Sequence, residues 1–210
     1  MKEYDIYLFD FDGTLFDSLE SLYPTFRYAF DAIGMNDVTD EEIESFTHVS
    51  LLQTMDIRHI PEKDRELFVD KIFEALDMVE FMKLVKPFPE TIETVVELHK
   101  RGKRLAIVSN NDTNHIKAIL DLLDFPNVFE TIVGSDSGAR SKPNPDMLFV
   151  AFDRMGVFDA SRSCYVGDSE QDGDTAVAGG IGSIIVDRHD LHARVPGEKC
   201  RSLSEILNFD

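Results

Sequence analysis

The sequence is poor in the residues that would place it in several classes of protein. It has two cysteines, no tryptophan, and 21 lysine and arginine residues against 40 aspartate and glutamate residues, a formal net charge of −19 at pH 7. Because such a surface repels nucleic-acid phosphates and anionic lipid, we expect neither as a partner. Two cysteines without metal-type spacing form neither a disulfide framework nor a zinc site, which favours a reducing compartment.

Long apolar runs are missing as well. No run approaches the roughly 20 apolar residues of a membrane span, and the polar start of the chain, residues 1–5, does not resemble a signal peptide. We therefore expect a soluble, cytoplasmic protein. Its 210 residues, 43% hydrophobic and 29% charged, are typical of one folded domain with a modest insertion. Nothing specifies the assembly beyond a monomer or small homo-oligomer.

Short apolar runs, typical of buried strands, alternate with helical patterns over most of the chain. The strand-like runs are residues 4–9, 104–108, 128–133, 163–166 and, with a weaker pattern, 183–186. The helical patterns between them are residues 90–101, 113–123, 144–155 and 170–178. This alternation predicts an α/β fold of three layers, with a Rossmann-like, mainly parallel sheet between helices.

One segment interrupts the alternation. Residues 18–86 contain helical patterns only. Their apolar spacing is illustrated by Phe68, Ile72, Ala75, Val79 and Met82. We predict a core domain of residues 1–17 and 87–210, with a small all-helical cap domain, residues 18–86, inserted after the first strand. Such a cap is expected to close over a substrate and to limit it to a small molecule.

Polar residues follow the predicted strands. Asp10 and Asp12 come directly after the first strand, Ser109 after the second and Asp168 after the fourth, while Lys142 lies between the third strand and its helix. A hydrophobic core does not require charged residues at these places. The carboxyl ends of parallel strands are where open α/β sheets build their sites. These residues are therefore expected to share one site.

The residue types indicate a metal-assisted reaction. Asp10 and Asp12, two apart in an extended segment, face the same side, and Gly13 permits a sharp turn after them. Neighbouring carboxylates repel each other unless a proton or a cation joins them. Together with Asp168 and Asp172 they form a set of hard oxygen ligands suited to Mg²⁺.

Phosphate-binding groups complete the set. Lys142 supplies a positive charge, and Ser109 and Thr14 supply hydroxyl donors for phosphoryl oxygens. Asn110 and Asn111 follow Ser109 and are further candidates to contact the substrate. The set predicts phosphoryl transfer through an aspartyl-phosphate. Taken singly, some of these residues have simpler interpretations, since a serine can cap a helix and a loop lysine is commonly solvated.

Four segments resemble, in order, the motifs of the haloacid dehalogenase superfamily. They are Asp10-Phe11-Asp12-Gly13-Thr14, Val108-Ser109-Asn110, Ser141-Lys142-Pro143-Asn144-Pro145 and Gly167-Asp168-Ser169-Glu170-Gln171-Asp172. With a cap inserted directly after the first motif, the chain is similar to the branch that contains phosphoglycolate phosphatase and β-phosphoglucomutase.

The resemblance implies a role for each acidic residue. Asp10 is expected to be the nucleophile, and Asp12 the general acid that later acts as the base activating water. Asp10, the backbone carbonyl of Asp12, and Asp168 are expected to bind Mg²⁺, with Asp172 supporting the metal directly or through water. Ser109 and Lys142 are implied to hold the phosphate.

The implied activity is hydrolysis of a small phosphate monoester: phosphoglycolate-like, a sugar phosphate or a nucleotide. Asp12 disfavours dehalogenation, because dehalogenases lack this second aspartate. A sugar phosphomutase remains the alternative, although residues 19–28 offer no histidine of the kind that mutases carry. A non-catalytic binding protein is less favoured, since no catalytic residue is missing. The cap has Thr47-His48-Val49-Ser50 where relatives carry a glycine-containing substrate loop, so the substrate itself is not predicted.

Overall fold

A computed structural model describes residues 4–46, 49, 51–190 and 195–208. Three residues of the sequence 47–50 discussed above, Thr47, His48 and Ser50, lie outside these ranges. The chain forms two compact units, residues 1–17 with 87–210, here called the sheet unit, and residues 18–86, here called the helical unit.

Regular structure alternates along the chain as follows. The elements are β1 (Ile6–Phe9), β2 (Phe16–Asp17), α1 (Leu19–Ala32), α2 (Asp40–Phe46), α3 (Leu51–Ile57), α4 (Glu62–Leu76), α5 (Val79–Met82), β3 (Lys86–Pro87), α6 (Thr91–Lys100), β4 (Arg104–Val108), α7 (Thr113–Leu122), β5 (Thr131–Val133), α8 (Asp146–Met155), β6 (Ser163–Gly167), α9 (Glu170–Gly179), β7 (Gly182–Val186) and β8 (Glu198–Cys200). Short 3₁₀ helices cover Ser135–Ser137, Ala160–Arg162 and Leu203–Asn208.

The sheet unit is built on six parallel strands in the order β5-β4-β1-β6-β7-β8. Strand β1 lies inside the sheet, and all four of its residues are buried. Phe9, its last residue, is in register with Ile107 of β4 and Val166 of β6. The residues that follow these three strands therefore lie side by side at the carboxyl-terminal end of the sheet.

Helices flank this sheet. Ile6 and Leu8 of β1 share a buried cluster with Leu148 and Phe152 of α8. Tyr7 and Phe9 alternate with them and so face the opposite side of the sheet. Predominantly apolar residues on both faces are expected of a parallel strand covered by helices. The predicted fold class, a Rossmann-like parallel sheet between helices, is confirmed.

Details of the elements differ from the sequence prediction. Strand β5 covers Thr131–Val133 only, rather than residues 128–133. Strand β8 was not predicted, because Glu198-Lys199-Cys200 has no apolar pattern. Helix α6 buries Thr91, whereas the apolar Ile92 beside it is exposed. Thr91 fits there because its hydroxyl donates a hydrogen bond to the carbonyl of Leu15 at 2.8 Å.

The helical unit has its own hydrophobic core. Its buried members are Phe26, Ala29, Phe30, Ile43, Phe46, Met55, Ile60, Phe68 and Ile72. The rings of Phe30 and Phe68 lie 4.8 Å apart, a spacing typical of favourable aromatic contacts. The helical pattern from Phe68 to Met82 is broken in the structure, since α4 ends at Leu76 and α5 begins at Val79.

Two further predictions concern cysteines and membrane spans. Cys164 and Cys200 are both buried free thiols, in agreement with the absence of a disulfide framework. Within the described residues, the helices are too short or too polar to span a lipid bilayer.

Candidate active site

Asp10 begins the loop that follows β1. Its backbone N–H donates to the carbonyl of Val166 at 2.8 Å, which extends the pairing of β1 with β6 by one bond. Its carboxylate is buried, and Oδ1 lies 2.9 Å from Nζ of Lys142. Burial raises the pKa of Asp10 to about 8; Lys142 opposes the shift, and the charge of Asp172 adds to it.

Lys142 is a buried lysine held between two carboxylates. Its Nζ lies 2.9 Å from Oδ1 of Asp10 and 2.7 Å from Oδ1 of Asp172. The ring of Tyr165 is 5.5 Å from the same nitrogen, within the range of a cation–π contact. Burial disfavours the protonated form, yet the two carboxylates raise the pKa of Lys142 well above its usual value. The site therefore contains a fixed positive charge.

Asp172 uses both of its oxygens. Oδ1 accepts from Lys142, and Oδ2 accepts the backbone N–H groups of Asp168 and Ser169 at 3.2 and 3.0 Å and the hydroxyl of Ser169 at 2.6 Å. Ser169 in turn caps the backbone of Asp172, so the two residues form a capping box at the start of α9. Although burial opposes ionisation, Lys142 and Ser169 hold the pKa of Asp172 below its usual value.

Asp168 and the turn after Asp12 approach each other closely. The hydroxyl of Thr14 donates to Oδ1 of Asp168 at 3.3 Å. Gly13 has a φ of +76°, and a Cβ at this position would lie 2.2 Å from Oδ2 of Asp168. Only glycine therefore fits this turn, for both conformational and steric reasons. Burial, followed by the charge of Asp172, raises the pKa of Asp168 to about 7.

Three carboxylates form a cluster of metal-ligand type. Asp10, Asp168 and Asp172 each offer an oxygen, and these atoms lie within 4.8 Å of one another. Opposite ligands of an octahedral Mg²⁺ are about 4 Å apart, twice the ligand distance. The cluster thus approaches the size that one ion requires. The residue types grouped the carboxylate of Asp12 with these three, but its side chain is not part of the cluster. The resemblance assigns the backbone carbonyl of Asp12 to the metal, and that role remains a prediction.

The second predicted motif follows β4. Ser109 is buried, and its Oγ accepts the backbone N–H of Asn111 at 3.2 Å. Asn110 is exposed; its Oδ1 accepts the backbone N–H of Lys142 at 2.9 Å, and its Nδ2 donates to Gln171 at 3.0 Å. Asn110 thereby joins its own loop to the loop of Lys142 and to the first turn of α9, and both polar groups of its side chain have protein partners. Its contact with phosphate remains a prediction.

The structure adds a contact and a residue that the sequence did not indicate. Asn111 was a candidate for substrate, yet its Nδ2 donates to Oδ2 of Asp12 at 3.2 Å. Arg188, which follows β7, donates to the carbonyls of Gly13 and Thr14 at 3.1 and 3.3 Å. Both contacts join residues far apart in the chain, and no sequence motif predicts them.

Comparison with known proteins identifies the family of the chain. The model of the family described as haloacid dehalogenase-like hydrolase matches residues 7–186. A phosphoglycolate phosphatase from Mesorhizobium japonicum is 30% identical over 195 residues, which are 87% of this chain and 82% of that protein. A pyrophosphatase from Oceanobacillus iheyensis is 28% identical over 165 residues, 79% of this chain and 75% of that protein.

The fold has a solved counterpart. A structure from Bacteroides fragilis, described as a haloacid dehalogenase-like hydrolase, has a TM-score of 0.86 and 27% sequence identity, and the match covers 97% of this chain and 100% of the other. These matches confirm the resemblance that the four motifs carry and the prediction of an enzyme.

Proposed function

Since the chain belongs to the haloacid dehalogenase-like hydrolase family, we propose that it is a Mg²⁺-dependent phosphatase that hydrolyses a small phosphate monoester through an aspartyl-phosphate on Asp10. The observation that carries the proposal is the contact of the buried Asp10 carboxylate with Lys142 at 2.9 Å, inside a cluster of three carboxylates. A hydrophobic core has no need of this arrangement, because burying charge is costly.

In the proposed first step, a carboxylate oxygen of Asp10 attacks phosphorus and the bond to the leaving oxygen breaks. Asp12 gives that oxygen a proton, so that the product leaves as an alcohol. In the second step Asp12 removes a proton from water, which attacks the aspartyl-phosphate and releases inorganic phosphate. Lys142 and the Ser109 hydroxyl hold the phosphoryl oxygens throughout.

Asp10, Asp168 and the backbone carbonyl of Asp12 would hold Mg²⁺. When bound, the ion neutralises charge on the phosphate so that an anionic nucleophile can approach it. Asp172 acts mainly as a support, because both of its oxygens already accept hydrogen bonds from Lys142, Asp168 and Ser169. It therefore orients Lys142 on one side and the backbone of Asp168 on the other.

The proposed substrates are small phosphorylated metabolites, with phosphoglycolate as the first candidate because relatives carry the name phosphoglycolate phosphatase. Pyrophosphate belongs on the same panel, since another relative is named a pyrophosphatase. We propose further that residues 18–86 act as a cap that selects the substrate. Slower proteolysis within or beside this segment in the presence of vanadate, a phosphate analogue, would support that role; unchanged cleavage would contradict it.

The test of function is release of inorganic phosphate from a panel of phosphate esters, with Mg²⁺ and with a chelator. Turnover should require the metal and should be abolished in Asp10→Asn. The matched control is Asp174→Asn, which removes an exposed carboxylate from the same helix as Asp172 and should leave turnover unchanged. Mass spectrometry of acid-quenched protein should detect a phosphoryl group on Asp10.

Two results would overturn the proposal. No turnover on the whole panel, with an Asp10→Asn protein indistinguishable from the wild type, would exclude a phosphatase. Conversion of a sugar phosphate into its isomer in the presence of a bisphosphate, without release of inorganic phosphate, would instead identify a mutase.

A further inference from the structure

The side chain of Asn111 donates a hydrogen bond to the proposed general acid, Asp12. Its Nδ2 lies 3.2 Å from Oδ2 of Asp12. Asn111 is partly buried, and its position is well defined: its backbone N–H donates to Oγ of Ser109 at 3.2 Å and its carbonyl accepts from Ser135 at 2.9 Å. The residue is therefore fixed at both ends of its backbone.

The orientation of the amide follows from its other contact. Oδ1 of Asn111 accepts the backbone N–H of Asp112 at 2.9 Å. Since a backbone N–H can only donate, the oxygen of the amide must face Asp112 and the nitrogen must face Asp12. Asn111 thus presents a donor, and only a donor, to the carboxyl group of Asp12.

We propose that Asn111 is a positioning residue that fixes Asp12 as the proton donor to the leaving group. The inference rests on the proposed function. Because Oδ2 of Asp12 already accepts from this donor, Oδ1 is the oxygen left to hand a proton to the leaving group. The same hydrogen bond limits rotation of the carboxyl group, which keeps Oδ1 in one place as the ester bond breaks.

The alternative is that Asn111 merely shapes the loop between β4 and α7. Its bond to Asp112 supports the loop, because Asp112 is the N-cap of α7 and accepts from the backbone of Asn114. The two roles can be separated by the chemistry of the leaving group. An alkoxide leaves poorly unless it is protonated, whereas p-nitrophenolate leaves readily as an anion.

The experiment compares kcat/KM for p-nitrophenyl phosphate and for an alkyl phosphate in wild type, Asn111→Ala and Asn111→Asp. The isosteric Asn111→Asp keeps an acceptor for Asp112 but removes the donor to Asp12. General acid catalysis contributes about 10²–10⁴-fold to a rate. We therefore expect both variants to lose about tenfold or more on the alkyl ester beyond their loss on the aryl ester.

We compare kcat/KM because it reports the steps up to departure of the leaving group, which are the steps that Asp12 is proposed to assist. Asn114→Ala, an exposed asparagine three residues further along, should retain wild-type values on both esters and serves as the control.

The outcomes distinguish the two proposals. A selective loss on the alkyl ester supports positioning of Asp12. Equal losses on both esters, or no loss on either, overturn the inference while the phosphatase assignment stands. Absence of turnover by the wild type on these two esters and on the whole panel above overturns the assignment itself and this inference with it.

Discussion

The two units of this protein treat charge in opposite ways. Over the part of residues 18–86 that the structure describes, no charged side chain is buried, and the buried polar residues are Ser21, Thr25 and Thr54. The hydroxyls of Ser21 and Thr25 donate to backbone carbonyls of their own segment at 2.7 and 2.8 Å. The sheet unit, by contrast, buries Asp10, Lys142 and Asp172 in direct contact.

The difference shows what each unit is built for. An ion pair removed from water regains in attraction roughly what it loses in hydration, so it adds little to stability. An apolar cluster such as that around Phe30 and Phe68 stabilises through burial alone. The charges of the sheet unit are consequently best explained by chemistry, and the core of the helical unit by folding.

The largest effect is expected from removing the positive charge of Lys142, which lies between two buried carboxylates. Lys142→Met should lower the free energy of unfolding by about 3–5 kcal/mol, because two buried carboxylates lose their partner. Urea unfolding in the presence of a chelator measures the effect without a contribution from metal. A triple variant that also carries Asp10→Asn and Asp172→Asn should recover much of the loss. Unchanged stability of the single variant would contradict the prediction.

The apolar core of the helical unit provides the counterpart. Phe30 is fully buried, so Phe30→Ala should lower the free energy of unfolding by about 3–5 kcal/mol through lost packing and a cavity. Urea unfolding again measures it. Phe73, which is 55% exposed, is the control: Phe73→Ala should change stability by at most about 0.5 kcal/mol. Similar losses for both variants would show that the core is assigned incorrectly.

Arg188 is charged like Lys142 but only partly buried, so we expect a smaller effect from its removal. It donates to Gly13, to Thr14 and, at 3.0 Å, to Glu90, and its guanidinium lies 3.6 Å from the centre of the Phe88 ring. Arg188→Met should cost about 2 kcal/mol, since hydrogen bonds to charged groups are stronger than neutral ones. Arg188→Lys keeps the charge but cannot reproduce the forked contacts. Its free energy of unfolding, measured by chemical denaturation, should therefore be nearly as low as that of Arg188→Met.

Glu90 gives the same region a dependence on pH. Partial burial opposes its ionisation, but backbone N–H groups, Leu203 among them, and Arg188 hold the pKa of Glu90 below its usual 4.5. A lowered carboxyl pKa contributes stability that is present above about pH 5 and is lost as the pH falls through the lowered value. Glu90→Gln should therefore flatten the free energy of unfolding between about pH 5 and pH 3. A curve parallel to that of the wild type would contradict this.

The smallest effect is expected at an exposed ion pair of the helical unit. Arg27 and Asp40 are in contact, but their side chains remain 46% and 58% exposed. Arg27→Met should change the free energy of unfolding by at most about 0.5 kcal/mol. High salt should remove even this difference, because exposed charges are screened. A change as large as that of Lys142→Met would invalidate the contrast between buried and exposed charge.

Much of the fold and of the candidate site is readable from local pattern. Asp10, Ser109 and Asp168 each follow a short apolar run, and parallel strands bring such positions to one edge. Strand β8 was missed because Glu198-Lys199-Cys200 has no periodic apolar residue; backbone pairing with β7 defines it. Apolar spacing also does not reveal that Thr91 is buried while Ile92 is exposed, because the hydrogen bond of Thr91 to the carbonyl of Leu15 joins distant parts of the chain.

The partners inside the site are harder to foresee. Asn111 and Asp12 are 99 residues apart in the chain, and Arg188 and Gly13 are 175 apart. Such pairs depend on how loops from different strands meet, which no local periodicity encodes. Arg188 was missed entirely, since a single arginine after a strand is most often a solvated surface residue.

One carboxylate, that of Asp172, belongs both to the first turn of α9 and to the charge cluster. Its Oδ2 accepts the amides of Asp168 and Ser169, while its Oδ1 holds Lys142. Any event that draws Lys142 away also alters the acceptor that protects those two amides. Their hydrogen-exchange rates are thus a built-in readout of the site, observable by NMR in the resting protein without any substrate turnover.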